Sequence, residues 1–210
     1  MGDNYCGEAK KFSEIAFLDV SEGIGAGIIL NNQIYRGAYS SAGEVGYIIS
    51  GVKNLYSTFK NKGFMEQEAS LGNIGKEAAE AIKEGKKTLL REIISGDLSK
   101  LNASIVCKAA SLGDSVSRNI INKIVENLAL ITINLTLILN PQIIIIGGNI
   151  CALPEVKNLF VEPIKNITKG IVPFKLPEIK LSLLGEDGGV IGASFYAIDS
   201  FLTDFFPYKI

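Results

Sequence analysis

The sequence contains no histidine and no tryptophan among its 210 residues. The absence of histidine excludes any role for an imidazole of this chain as general base, triad member or metal ligand. A surplus of charge of one sign is also lacking, since 21 Lys and Arg residues stand against 22 Asp and Glu residues. Proteins that bind nucleic acid through its phosphates normally carry a basic surplus. We therefore expect no direct nucleic-acid contact from this chain.

Cysteine is scarce, and the three present are far apart at Cys6, Cys107 and Cys151. An odd number without a Cys-x-x-Cys pair predicts neither a disulfide framework nor a zinc site. Scattered thiols are typical of a reducing compartment, so we expect a cytoplasmic protein. The first residues lack the basic and apolar regions of an export signal. The most apolar stretch, 128–146, contains Thr, Asn, Pro and Gln, and we interpret it as two buried elements rather than a membrane span.

Hydrophobic residues make up 47% of the chain, which is enough to build a folded core. The residue patterns predict strands at 15–20, 28–30, 33–35, 143–146 and 178–184. They predict helices at 64–70, 75–94 with a break at Gly85, 99–112, 115–139, 154–169 with a kink or restart at Pro163, and 190–201. The alternation of strands and helices in the second half favours an α/β fold with strands at least partly parallel. No linker is visible, so we expect one domain over 1–210.

Two glycine-rich segments are candidates for phosphate binding. The first, Gly23-Ile24-Gly25-Ala26-Gly27, lies between the first two predicted strands. Glycine backbones can converge on an anion because no Cβ blocks the approach, although glycines also suit a tight turn or a bulge. The second segment, Gly147-Gly148, follows the predicted strand 143–146. Ligands bind at that end of a parallel strand, but small residues there also serve helix packing.

Carboxylates and a tyrosine are candidates for binding hydroxyl groups. Glu44 is flanked by Gly43 and Val45-Gly46, and a carboxylate in such a loop can accept two hydrogen bonds from a diol. Tyr47 can offer a ring face and a hydroxyl. The alternative is a solvated glutamate in a flexible loop. Glu66 lies at the start of a predicted helix. As an alternative to binding a hydroxyl group, its negative charge could simply stabilise the helix N-terminus through the helix dipole.

In their order along the chain, these motifs resemble the ROK family of bacterial sugar kinases and sugar-responsive repressors. The matching segments are Gly23–Gly27, Ala42–Gly46, Met65-Glu66 with Ser70, Asn140–Gly148, Leu184–Gly188 and Ile191–Ala193. The resemblance implies the actin-like ATPase (ribonuclease H-like) fold, and specifically its C-terminal lobe, a mixed β-sheet flanked by helices. It also implies that the N-terminal lobe, with its phosphate loop and aspartate base, and the helix-turn-helix of the repressors are absent here.

The chain departs from the family's kinases at two places. Ser21-Glu22-Gly23 stands where the kinases have Gly-Thr-Gly, whose threonine helps to hold ATP. If the Glu22 carboxylate pointed at the phosphates of ATP, the repulsion between two unit charges about 4 Å apart would weaken ATP binding by about 4 kcal/mol. Tyr47 stands where the family has a histidine, and no cysteine lies between it and Glu66. The resemblance therefore implies that the family's structural zinc is lost and that ATP is not a cofactor. It leaves a vestigial phosphate site at Gly23, Gly25, Gly27, Gly147 and Gly148.

The resemblance assigns sugar contacts to Glu44 and Glu66, with Tyr47 beside them. Our leading hypothesis is the sugar-sensing domain of a ROK transcriptional regulator, with no catalytic residue, a sugar as effector and a homodimeric state, and without a membrane partner. The alternatives are a fragment of an ATP-dependent sugar kinase and an isolated lobe that serves dimer assembly. An oligomer face could form from the apolar C-terminal residues, although we expect them in the core: Phe195, Tyr196, Phe201, Phe205 and Phe206.

Overall fold

A five-stranded mixed sheet forms the centre of the computed structural model. The structure describes residues 1–56 and 62–205, without the side chains of Lys53, Glu186 and residues 202–205. The strands are β1 (Ile15–Val20), β2 (Ile24–Leu30), β3 (Gln33–Ile34), β4 (Ile143–Gly147) and β5 (Glu178–Leu181). Their order is β3-β2-β1-β4-β5. The strands β1, β4 and β5 run parallel, whereas β1–β2 and β2–β3 are antiparallel. The expected mixed sheet is confirmed.

Eight helices surround this sheet in the described part of the chain. They are α1 (Gly2–Tyr5), α2 (Phe64–Ala69), α3 (Leu71–Lys83), α4 (Leu90–Ile93), α5 (Ala103–Ser111), α6 (Ser115–Leu139), α7 (Glu162–Ile171) and α8 (Gly188–Phe205). Short 3₁₀ turns lie at Val45–Tyr47, Val52–Tyr56, Leu98–Lys100, Asn149–Ala152 and Gly185–Asp187. The turn residues and lysines of 55–63 predict an exposed loop, and residues 57–61 of that segment lie outside the described residues.

The hairpin between β2 and β3 forms where the sequence predicts it. Asn31 and Asn32 both have positive φ, at 53° and 62°, as a two-residue hairpin turn requires. The strand before the turn is longer than expected, because pairing with β1 continues to Val20 and Ile24. Gly25 and Gly27 therefore lie inside β2, opposite Asp19 and Phe17, rather than in a separate glycine-rich loop.

The long helix α6 matches its predicted bounds, and its ends explain why. The Asp114 side chain accepts a hydrogen bond from the Ser117 amide at 2.8 Å and caps the first turn. Asn140 ends the helix in the left-handed conformation, immediately before Pro141. Among the described residues, α6 alone is long and apolar enough to cross a bilayer. Of its most apolar 18-residue stretch, 61% is buried inside the fold. A core helix gives the same weak signal, and α6 contacts α2, α3, α5 and α7.

The second half departs from the prediction mainly in element length. The chain around Pro163 forms a wide π-type turn at Lys157–Val161 followed by α7, so the helix restarts at the proline as expected. The strand β5 ends at Leu181 instead of 184. The Ser182 amide still donates to the Ile146 carbonyl at 2.8 Å, and the Ser182 hydroxyl donates to the Asp3 carboxylate at 2.8 Å. The last helix begins at Gly188, two residues earlier than predicted.

The sheet buries a core on each face. On the larger side, Leu18, Ile144 and Ile146 pack with α6 and its neighbours. On the smaller side, Ile15, Ile29, Ile143 and Ile145 pack with Ala9 and residues of the N-terminal segment. Ile143 to Ile146 have no exposed surface, so β4 is buried on both faces, which confirms the prediction of a buried element there.

The C-terminal helix is less buried than expected. Phe195 stacks on Tyr5 of α1 with ring centroids 4.8 Å apart. Tyr196 and Phe201 remain 38% and 56% exposed, so the expectation of a core position is wrong for these two residues. The reason is that α8 packs mainly on the short helix α1, which covers only one side of it. The Phe205 side chain and Phe206 lie outside the described residues.

Candidate functional site

Glu66 lies where three of the predicted motifs meet. Its carboxylate Oε1 is 3.3 Å from the position that a Cβ on Gly23 would take. Its own Cβ is 3.4 Å from the corresponding position on Gly46. Gly63, just before α2, also approaches the Gly46 backbone so closely that no side chain fits there. The glycines thus allow α2 to place Glu66 directly against both backbone segments.

The segment that carries Glu44 and Tyr47 is attached to β2 at a position where β3 does not pair with that strand. The Gly43 carbonyl accepts a hydrogen bond from the Ala26 amide at 2.7 Å. Gly43 has φ of +92°, and a side chain there would collide with the Ala26 carbonyl. Val45 is buried in the main core, whereas Glu44 and Tyr47 are exposed. The segment is therefore a fixed turn with two polar side chains directed outward, and the alternative of a loose loop does not describe it.

The loop between β1 and β2 directs its glutamate toward α3. The Glu22 carboxylate lies against Gly72 in the first turn of α3, and the Ser21 carbonyl accepts the Leu71 amide at 2.9 Å. A helix N-terminus carries partial positive charge, which favours an anionic side chain there. Lys62 Nζ lies 3.6 Å from Glu66 Oε1 and donates to the Glu22 carbonyl at 3.3 Å. Lys62 thereby ties this loop to Glu66.

Gly148 lies on the other side of the same loop. It has φ of +87°, and a side chain there would collide with the Asp19 carboxylate. The Ser21 hydroxyl donates to Asp19 Oδ1 at 2.7 Å and accepts from the Asn149 amide at 3.0 Å. A cavity of about 320 Å³ opens here and extends across the smaller face of the sheet beside α1 and α8. Residues at the ends of the parallel strands β1 and β4 thus meet at one sheet edge.

The five glycines predicted as a vestigial phosphate site have different side-chain neighbours, although Gly27 and Gly148 line the same cavity. Gly23 faces Glu66, whereas Gly148 faces Asp19 and Ser21. A Cβ on Gly25 would have no neighbour within 4 Å. Gly27 lies beside Phe17, and Gly147 approaches the Phe17 ring too closely to carry a side chain. Sequence reasoning missed Asp19 and Lys62, which no motif marks, because Asp19 meets Gly148 and Lys62 meets the Glu22 carbonyl only in the folded chain.

The donor set does not fit the zinc of the resembled family. Between Tyr47 and Glu66 the sequence has neither cysteine nor histidine. Within residues 1–56 and 62–205, no three Cys, Asp or Glu side chains come together as metal ligands would. The three cysteines are free thiols.

Comparison with known proteins decides the family. The family model described as the ROK family matches residues 1–200 of the chain. The chain belongs to the ROK family. This ROK chain has the fold of solved ROK proteins. It superposes on a ROK glucokinase from Streptomyces griseus, which was solved in complex with glucose and AMPPNP, with a TM-score of 0.81. The two sequences are 20% identical, and the match covers 93% of this chain and 64% of the glucokinase chain. A ROK transcriptional regulator, a homologue of the Escherichia coli MLC protein, superposes with a TM-score of 0.77 at 20% identity, covering 92% and 48%.

The curated relatives of this ROK chain include both repressors and kinases. It is 29% identical to a xylose repressor of Caldicellulosiruptor bescii over 97% of its own length and 50% of the relative. It is 27% identical to a glucokinase of Halalkalibacterium halodurans, over 93% of its own length and 59% of the relative. The chain thus spans about half the length of the curated relatives it matches.

Proposed function

We propose that this chain is the sugar-binding effector domain of a ROK transcriptional regulator, with Glu44 and Glu66 accepting hydrogen bonds from sugar hydroxyls. The observation that carries the proposal is the position of Glu66 against Gly23 and Gly46, which brings its carboxylate to the turn that bears Glu44 and Tyr47. A carboxylate held by Lys62 on Glu66, with an exposed carboxylate on Glu44 and a tyrosine on the adjoining turn, suits a neutral polyhydroxylated ligand. Because the chain spans about half of its relatives, the activity and partners of the whole protein belong to the proposal too.

Sensing without catalysis is supported by what this chain has in place of the kinase residues. Glu22 stands where the kinase pattern has a phosphate-binding threonine, so that hydroxyl is missing. Its carboxylate lies at the start of α3 instead of beside Gly148, so the repulsion of phosphates considered from the sequence does not arise there, and the missing threonine alone supports the proposal. We propose that ATP is not used and that sugar binding shifts a two-state equilibrium in the regulator, which changes its affinity for DNA.

Sugar titration by calorimetry tests the binding proposal. D-xylose and D-glucose, the sugars that the names of the relatives suggest, are titrated into the 210-residue chain at neutral pH. We expect saturable binding of at least one, and loss of that binding in Glu66→Gln. The exposed Glu126→Gln on α6 removes the same charge away from the site and serves as the control. Binding that survives Glu44→Gln and Glu66→Gln would refute the assigned site.

A sugar kinase remains the second candidate, because glucokinases match the chain nearly as well as xylose repressors do. The two functions differ in one measurement, the sugar-dependent release of ADP from ATP. We expect none from this chain. Turnover above the rate without sugar would establish the kinase and overturn the sensor.

We further propose a cytoplasmic homodimer, on the basis of three free thiols and of relatives that include repressors. Light scattering after size-exclusion chromatography is expected to give twice the chain mass of 22.6 kDa. A dimer that binds neither sugar would favour the remaining alternative, a lobe retained for assembly.

A further inference from the structure

We infer that the groove between α2 and α3 is a subsite for the second sugar unit of a disaccharide, with Ser70 as its first contact. This α2–α3 groove also borders the loop between β1 and β2, and the residues along it include Glu22, Glu66, Ser70, Asn73, Lys76 and Glu80. The inference rests on the proposed function, because the first sugar unit is proposed to bind at Glu66.

The size of the α2–α3 groove leaves room beyond Glu66. Its volume is about 370 Å³. Sites for small organic ligands have volumes of about 300–1,000 Å³. On α3 the groove extends from Gly72 to Glu80, a length of about 12 Å at the helical rise of about 1.5 Å per residue. A second sugar ring therefore fits along α3 when the first is held at Glu66.

Ser70 has a buried hydroxyl without a partner at the start of the groove. It lies one helical turn after Glu66, and its amide donates to the Glu66 carbonyl at 3.2 Å. Ser70 is the N-cap residue of α3, but its side chain makes no capping hydrogen bond. Only 4% of the residue is exposed, and the described part of the chain gives its hydroxyl no hydrogen bond. A hydroxyl buried to this degree normally has a partner, so its position on the groove indicates a ligand.

Further donors and acceptors follow Ser70 along α3. Glu77 Oε1 accepts from Lys123 Nζ at 2.7 Å and from Asn73 Nδ2 at 2.9 Å. These bonds fix the Asn73 amide and leave its Oδ1 as an acceptor. The charged groups of Lys76 and Glu80 are exposed and make no hydrogen bond or ion pair with other described residues. Such a mixture suits hydroxyl groups, which both donate and accept.

Calorimetry with matched sugars tests the subsite in the 210-residue chain. Xylobiose is compared with D-xylose, and cellobiose with D-glucose, at neutral pH. We expect a disaccharide to bind about 5- to 30-fold more tightly than its monosaccharide, as one or two further hydrogen bonds give. A disaccharide that binds no more tightly overturns the inference and leaves the sensor in place. If none of the four sugars binds, the sensor and the subsite are both refuted.

Lys76→Ala tests the far part of the groove. It should weaken disaccharide binding about two- to fivefold, the effect of one exposed charged contact, and leave monosaccharide binding unchanged. Lys83→Ala is the matched control, because Lys83 is another exposed lysine of α3 and does not border the groove. An equal effect of the two variants, or an equal loss for both kinds of sugar, overturns the subsite.

Ser70→Ala distinguishes a ligand-binding hydroxyl from a helix cap. We expect an unchanged free energy of unfolding in urea, because the hydroxyl caps nothing, and at least about fivefold weaker disaccharide binding. Asn102→Ala is the control, since Asn102 caps α5 by accepting from the Ile105 amide at 3.0 Å and its loss should destabilise the fold. Equal destabilisation by the two variants, or unchanged disaccharide binding in Ser70→Ala, overturns the role of Ser70.

Discussion

Glu66 and Gly46 are in direct contact, and the missing side chain of the glycine is what allows it. A Cβ on Gly46 would lie 2.8 Å from the Ile24 carbonyl oxygen and 3.4 Å from the Glu66 Cβ. Because the first neighbour is backbone, it cannot move aside cheaply. The contact therefore fixes α2, β2 and the Val45–Tyr47 turn relative to one another.

Gly46→Ala is expected to destabilise the fold by about 1–3 kcal/mol, as overpacking in a fitted contact does. Gly25→Ala serves as the control, because a Cβ there meets nothing within 4 Å and alanine reduces the entropy of the unfolded chain. Urea unfolding at neutral pH measures both. An equal loss in the two variants would contradict the importance of the close approach.

Asp114 is expected to stabilise the junction of α4 and α6 in a pH-dependent way. Burial alone raises the pKa of this carboxyl, but hydrogen bonds from Ser117, Leu89 and Thr88 outweigh burial, so the pKa lies below its ordinary value. A lowered folded-state pKa stabilises the protein above the unfolded-state pKa of about 3.9, and the contribution is lost as pH falls through the folded-state pKa. Asp114→Ala should cost about 1–3 kcal/mol at pH 7.

Urea unfolding between pH 7 and pH 2 measures this contribution. The difference between wild type and Asp114→Ala should shrink at the acid end. Asp97→Ala is the control, because Asp97 caps only the exposed turn Leu98–Lys100 and should have a smaller effect. A difference that is constant over the whole pH range would contradict the role of the ionised carboxylate.

Glu44 and Glu66, the two residues proposed to bind the sugar, should contribute comparably to the affinity for it. A buried sugar hydroxyl left without a partner costs about 1–3 kcal/mol, so Glu44→Gln and Glu66→Gln should each weaken binding by about 5- to 150-fold. Calorimetry with the sugar that binds wild type measures the change. Circular dichroism spectra like that of the wild type confirm that each variant is folded. If one variant binds normally, that glutamate is not a ligand.

The three thiols should differ sharply in reactivity. Burial raises the pKa of Cys107 to about 12. Burial is the main reason why the pKa of Cys151 is raised to about 11, and the negative charges of Asp3 and Asp19 add to it. Cys6 is exposed. Because the thiolate is the reactive form, Ellman's reagent at pH 8 should modify one thiol rapidly in the folded chain and three after unfolding in urea. A second fast thiol in the folded chain would contradict the burial described here.

Local sequence signals predicted those elements whose cause is itself local. The bounds of α6 follow from Asp114 at one end and Asn140-Pro141 at the other, and the hairpin turn follows from two asparagines that tolerate positive φ. The run Ile143 to Ile146 predicted a buried strand, because four consecutive β-branched residues favour a strand and their hydrophobicity favours burial. The order of the glycine and glutamate motifs was sufficient to indicate the ROK family and its fold.

Contacts between distant residues were decided by the tertiary structure alone. Pairing with β1 drew Gly25 and Gly27 into a strand, and the start of α3 determined where the Glu22 carboxylate lies. The exposed side of α8 likewise depends on which helices cover the smaller face of the sheet. The sequence by itself determined the ends of α6, the hairpin turn and the family. The position of Glu66 against Gly46 needed the folded chain, because a contact across 20 positions depends on how three separate elements pack together.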